Sequence, residues 1–148
     1  MRVLITRPER EATTLAAALS ERGHAPVIAP LFHLQILRPP AGFSAALAAA
    51  QAILLTSANG ARALAEASDQ RGRPILAVGD TTASTAEGLG FSAVVSASGD
   101  GLALADMVRR ELDPKSGPLV HVSGADIALD FAEALKADGF EVHRFALY

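Results

Sequence analysis

A chain of 148 residues holds one ordinary domain, or one and a half small ones. Half of its residues are hydrophobic and only 5% aromatic, and its formal charge is −3, so core material is ample but no basic footprint for a nucleic-acid backbone exists. The absence of cysteine excludes disulfides, thiolate nucleophiles and most structural zinc sites together.

The chain opens on Met1-Arg2-Val3-Leu4-Ile5-Thr6, strand-like from the start, so no signal peptide is expected. No apolar run approaches the roughly 18 residues of a membrane helix. The expectation is a cytoplasmic protein with no membrane contact. Short β-branched runs then alternate with longer Ala/Leu-rich amphipathic ones. Strands are predicted over 3–6, 25–29, 52–56, 75–78, 93–96, 119–122 and 141–147, and helices over 9–22, 43–50, 60–67, 82–89, 102–112 and 127–138. This alternation implies an α/β fold of parallel sheets with helices on both faces, linked by right-handed crossovers. The strands read as continuous apolar runs, as strands covered on both faces do. Gly23, Gly90 and Gly139 follow helices and suit left-handed caps. Pro26 and Pro30 bracket the second strand, which suits an edge position or strand ends better than a central ladder.

The rhythm breaks at 31–40. Leu31-Phe32-His33-Leu34-Gln35-Ile36-Leu37 forms a second extended run almost directly after a strand, and Arg38-Pro39-Pro40 stiffens the chain before the next helix. This reads as a crossing between two structural units, with a second crossing at 144–148. A strand-helix-strand unit of about 36 residues cannot bury both faces of its sheet alone: either it packs onto the second unit or residues that complete it are missing, and the chain reads as cut short.

Ligands of parallel α/β sheets bind beyond the carboxyl ends of the strands, where helix N-termini point free N–H groups. The junctions there are Thr6-Arg7-Pro8, Thr56-Ser57-Ala58-Asn59-Gly60, Gly79-Asp80-Thr81-Thr82, Ser96-Ala97-Ser98-Gly99-Asp100-Gly101 and Ser123-Gly124-Ala125-Asp126. Every one is small, polar or glycine-containing. Such a rim suits a ligand with several carboxylates or phosphates, and Arg7 adds a charge-assisted contact. Each residue has a plainer reading as a helix N-cap worth about 1 kcal/mol. Asp80, Asp100 and Asp126 read as pure caps, since a carboxylate repels an anionic ligand.

Other chemistries lack their motifs. No G-x-G-x-x-G follows a strand, and no phosphate-binding G-x-x-x-x-G-K-[ST] is present. His24, His33, His121 and His143 show no metal spacing, and His121 reads as a strand residue pointing into or across the sheet. Ser57 lacks the G-x-S-x-G elbow of a nucleophile.

In order along the chain, Val3-Leu4-Ile5-Thr6-Arg7-Pro8, Leu54-Leu55-Thr56-Ser57-Ala58-Asn59-Gly60-Ala61-Arg62-Ala63, Ala77-Val78-Gly79-Asp80-Thr81-Thr82-Ala83, Ser123-Gly124 and Leu147-Tyr148 resemble the uroporphyrinogen-III synthase family of tetrapyrrole biosynthesis. The resemblance implies a flavodoxin-like two-domain architecture with the active site in the cleft. Residues 1–36 would open a first domain, incomplete here, residues 37–146 would form the second, and 147–148 would begin the return to the first. Family members continue well past this point. A complete member is expected as a monomer, and this shorter chain as a possible dimer through its open edges.

The resemblance implies a cyclising lyase, needing no cofactor. Its polycarboxylate substrate, hydroxymethylbilane, is closed to uroporphyrinogen III with inversion of the last pyrrole ring and loss of water. Carried over by position, Tyr148 would be the catalytic acid assisting loss of the hydroxyl. Arg7, Thr56, Ser57, Asn59, Gly60, Thr81, Thr82, Ser123 and Gly124 would bind substrate. Two alternatives stay open on the same residues. One is a non-catalytic flavodoxin-like module for anions or phosphates, although no glycine loop follows the first strand; the other is an inactive truncated relative.

Overall fold

Strand and helix alternate as the hydrophobic pattern requires, in two units, Met1–Gln35 and Ile36–Tyr148. The computed structural model describes residues 1–126 and 131–148. In the first unit, β1 (Arg2–Ile5) and β2 (Ala25–Ile28) pair in parallel around α1 (Glu9–Glu21). Ile5 and Ala12 are buried, whereas Leu4 and its register partner Val27 are 65% and 39% exposed. One face of this two-stranded sheet is therefore uncovered.

The second unit is a five-stranded, all-parallel sheet in the order β5-β4-β3-β6-β7. After α2 (Phe43–Ala49), the chain runs β3 (Ala52–Leu55), α3 (Ala58–Ala67), β4 (Ile75–Ala77), α4 (Asp80–Gly88), β5 (Val94–Ser96) and α5 (Gly101–Glu111). A 3-10 turn (Pro114–Ser116) leads to β6 (Leu119–Ser123), α6 (Phe131–Ala137) and β7 (Val142–Ala146). The central strands β3, β4 and β6 are buried along their whole length, so AILL and ILA are apolar on both faces, and β6 buries even His121 and Ser123. Ile53 and Leu55 face a core shared with α2, α3 and α4, and Ala52 and Leu54 face another shared with α5 and α6.

Most predicted elements match within two residues. Helix α3 starts at Ala58 and α4 at Asp80, two residues earlier than expected, so Asn59, Gly60, Thr81 and Thr82 lie inside first turns. The last helix, expected over 127–138, is seen over Phe131–Ala137; residues 127–130 lie outside the described residues. The helix-ending Gly23, Gly90 and Gly139 take φ of 78°, 91° and 91°. The extended run at 31–37 joins no sheet. Its backbone is tied instead by single bonds, among them Leu37 N–H to Leu147 C=O at 2.8 Å. Leu147 is fully buried in the core beside α2 and α3.

Candidate active site

Strand order reverses at β3 and β6, whose following connections leave in opposite directions. In doubly wound sheets a crevice for ligands opens at this switch point, outside the carboxyl ends of the strands. Thr56 and Ser57 follow β3 there, and Ser123 and Gly124 close and follow β6. Tyr148 reaches the same place from the end of β7. Its phenol oxygen lies 2.5 Å from Ser57 Oγ, a short hydrogen bond that either hydroxyl can donate.

Ser57 is also the N-cap of α3, its Oγ accepting from the Gly60 N–H at 3.0 Å. The cap fixes the serine, and the serine fixes the tyrosine. Gly60 packs so tightly that an added Cβ would lie 3.3 Å from the Val122 carbonyl oxygen. Asn59 Oδ1 accepts from Arg62 Nη1 at 2.7 Å, and Thr56 Oγ1 sits 3.4 Å from Nε2 of His121, a residue buried on β6 against the Phe131 ring.

On the next strand, α4 begins after Gly79, which has no side chain to cap it. Its first intrahelical bond is Ala83 N–H to Gly79 C=O, so the N–H groups of Asp80, Thr81 and Thr82 precede the helical ladder. Thr82 is only 5% exposed, yet its hydroxyl bonds to no described residue. Thr81 is exposed beside it.

Asp80 departs from expectation. It caps nothing: its Oδ1 accepts from Ser96 Oγ at 2.6 Å and Ser98 Oγ at 2.9 Å, tying the start of α4 to the turn after β5. Ser98 takes φ 51°, the one positive φ of a non-glycine among the described residues. The bonds from Ser96, then Ser98, favour the charged form and hold the Asp80 carboxyl below its ordinary value. A depressed carboxyl stabilises the fold above its unfolded pKa, and the gain is lost as pH falls through the folded value. Asp80→Asn is expected to flatten the acid limb of the melting-temperature profile slightly, the effect being small at an exposed position. An acid limb identical to the parent's would detach Asp80 from the turn. Asp100, by contrast, is a cap as expected, accepting from the Leu102 and Ala103 N–H groups at 3.0 Å each.

At β6 the polar atoms are bound internally. Ser123 Oγ donates to the Gly124 carbonyl at 2.9 Å and accepts from Arg144 Nε at 2.8 Å. Arg144 Nη2 donates to the carbonyls of Gly124 at 2.8 Å and Ala125 at 2.9 Å. Sequence reasoning passed over Arg144, a β7 residue outside every strand-end junction. Arg7, exposed, follows β1 in the first unit. The structure thus brings Thr56, Ser57, Asn59, Gly60, Ser123, Gly124 and Tyr148 together at the switch point, with Thr81 and Thr82 on the adjoining strand end. Among the described residues, no group of three or more His, Asp or Glu side chains converges as metal ligands do. No helix among them is long and apolar enough to cross a membrane.

Fold and rim together define a doubly wound α/β protein with its candidate site at the strand ends. A family model of uroporphyrinogen-III synthase HemD matches residues 13–148, and the chain belongs to that family. No curated protein matches this sequence. A crystal structure of a mutant uroporphyrinogen III synthase from the extremely thermophilic bacterium Thermus thermophilus is similar at TM-score 0.65 and 20% identity, over 99% of this chain and 61% of that one. The wild-type enzyme from the same bacterium gives 0.54 and 20% over 100% and 61%. At such identity the likeness speaks to the fold, and this chain spans about three fifths of those proteins' length.

Proposed function

We propose that this protein cyclises hydroxymethylbilane to uroporphyrinogen III, with inversion of the last pyrrole ring and loss of water. The observation that carries the reading is the Tyr148 phenol held 2.5 Å from Ser57 Oγ at the switch point of the sheet. In this reading Tyr148 gives its proton to the departing hydroxyl as the C–O bond breaks, and the oxygen leaves as water. Ring closure through a spirocyclic intermediate releases one proton from a pyrrole carbon, which restores the phenol. The larger task is holding one conformer, since the free bilane closes without inversion.

Carboxylate side arms of the bilane are bound by the head of α4, through the N–H groups of Thr81 and Thr82 and the Thr82 hydroxyl, all without a protein acceptor among the described residues. Arg7, Thr56, Asn59, Gly60, Ser123 and Gly124 remain proposed contacts. The atoms of Ser123 and the Gly60 N–H are already engaged, so they act chiefly by shaping the rim. No cofactor enters the scheme. We place the protein in the cytoplasm.

The deciding experiment incubates freshly generated hydroxymethylbilane with and without the protein and resolves the uroporphyrin isomers. Type III above the uncatalysed background is expected; type I alone would overturn the proposal. In a protein active by that assay, Thr82→Val should raise KM about fivefold, the worth of one ordinary hydrogen bond near 1 kcal/mol, with kcat retained. An unchanged KM would return Thr82 to a packing role.

A further inference from the structure

The turn after β6 is held from two sides. Arg144 grips it through Ser123 Oγ and the carbonyls of Gly124 and Ala125. From the other side the Tyr148 carbonyl accepts from the Ala125 N–H at 2.8 Å. Between them the Tyr148 ring lies against the turn: a Cβ placed on Gly124 would stand 3.1 Å from Tyr148 Cε2. The turn is thus the shelf on which the phenol rests, and its carbonyls point to the guanidinium.

We infer that Arg144 is a positioning residue for Tyr148, acting through the Ser123–Ala125 turn to keep the phenol against Ser57. A planar guanidinium suits the task because Nε and Nη2 share one edge and meet two acceptors at a fixed spacing. The third bond, to Ala125, reaches the residue whose N–H holds the Tyr148 backbone. Displacing the turn moves both the shelf and that anchor. The inference rests on the assignment of Tyr148 made above only for its consequence in turnover; the positioning itself is a property of the chain without substrate.

The chain has one tyrosine and no tryptophan, so its intrinsic fluorescence and the tyrosine band of its near-ultraviolet circular dichroism report largely on Tyr148. In Arg144→Gln the fluorescence is expected to become more accessible to acrylamide and the dichroic band to weaken. Arg144→Lys keeps the charge and the stem but lacks the fork, and should fall between Gln and the parent. In a protein active by the isomer assay, kcat should fall about tenfold or more with KM within about twofold, as expected for a misplaced reacting group.

Parent-like quenching and dichroism in folded Arg144→Gln and Arg144→Lys would overturn the inference. Should Arg144→Gln fail to fold, Arg144→Lys alone decides by the same spectra. Spectral loosening in a protein whose parent forms no type III isomer would uphold the positioning role and overturn the proposed reaction instead.

Discussion

Tyr148→Phe is expected to lower turnover by at least about a hundredfold, the lower range for a positioned proton donor, while leaving the unfolding midpoint almost unchanged. The substitution removes one hydroxyl and keeps the ring, with its packing against Gly124 and the α2–α3 core. Ser57 loses a partner but still caps α3 through the Gly60 N–H, so the helix start survives. Tyr148 is partly exposed, and water can replace the lost bond to Ser57. Single-turnover rates of type III formation beside thermal melts make the test. An unchanged rate would remove Tyr148 from the mechanism, and a large fall in melting temperature would show its hydroxyl to be structural.

Leu54→Ala is expected to have the largest effect on stability, about 2–5 kcal/mol. Leu54 is fully buried in β3, the strand flanked by β4 on one side and β6 on the other. It packs with Leu104, Val108 and Leu135 of α5 and α6, an environment locked by a parallel sheet that relaxes little around a cavity. Against a typical net stability of about 5–15 kcal/mol, the loss is a large fraction. Urea unfolding should show a lower midpoint at unchanged slope. A midpoint equal to the parent's would mean that Leu54 does not support the central strand.

The fold was legible because its central strands are read twice, once from each face. AILL and ILA have no polar face, as covered parallel strands do, and LVHVS departs from that pattern only at His121 and Ser123. The candidate site was half legible. Serine and threonine at strand ends announce where N–H groups collect, and Ser57 and Thr82 fall there. Their division of labour was hidden, because Ser57 and Asp80 look alike as helix-start residues. One caps α3, while the other turns away toward Ser96 and Ser98. That difference depends on a turn sixteen residues further on, which no local pattern encodes. Arg144 escaped notice for a related reason. Its role comes from the register of β7 on β6, which places it opposite His121, two residues before the Ser123 it grips. The run at 31–37, read as an extended crossing between units, lies where the chain passes from Met1–Gln35 to Ile36–Tyr148.

The two edges of the five-stranded sheet differ from those of the first unit in one respect that matters at high concentration. A sheet edge offers unpaired N–H and C=O groups to any other chain that arrives extended. At one edge of the large sheet β5 spans only three residues and is bent away at Ser98, and at the other β7 carries His143 and Arg144. Neither makes a flat apolar template. Among the described residues β1 and β2 of the first unit pair only with each other, next to the exposed Leu4 and Val27. Leu4 and Val27 are therefore positions where a charged side chain would blunt such a template at little cost to packing.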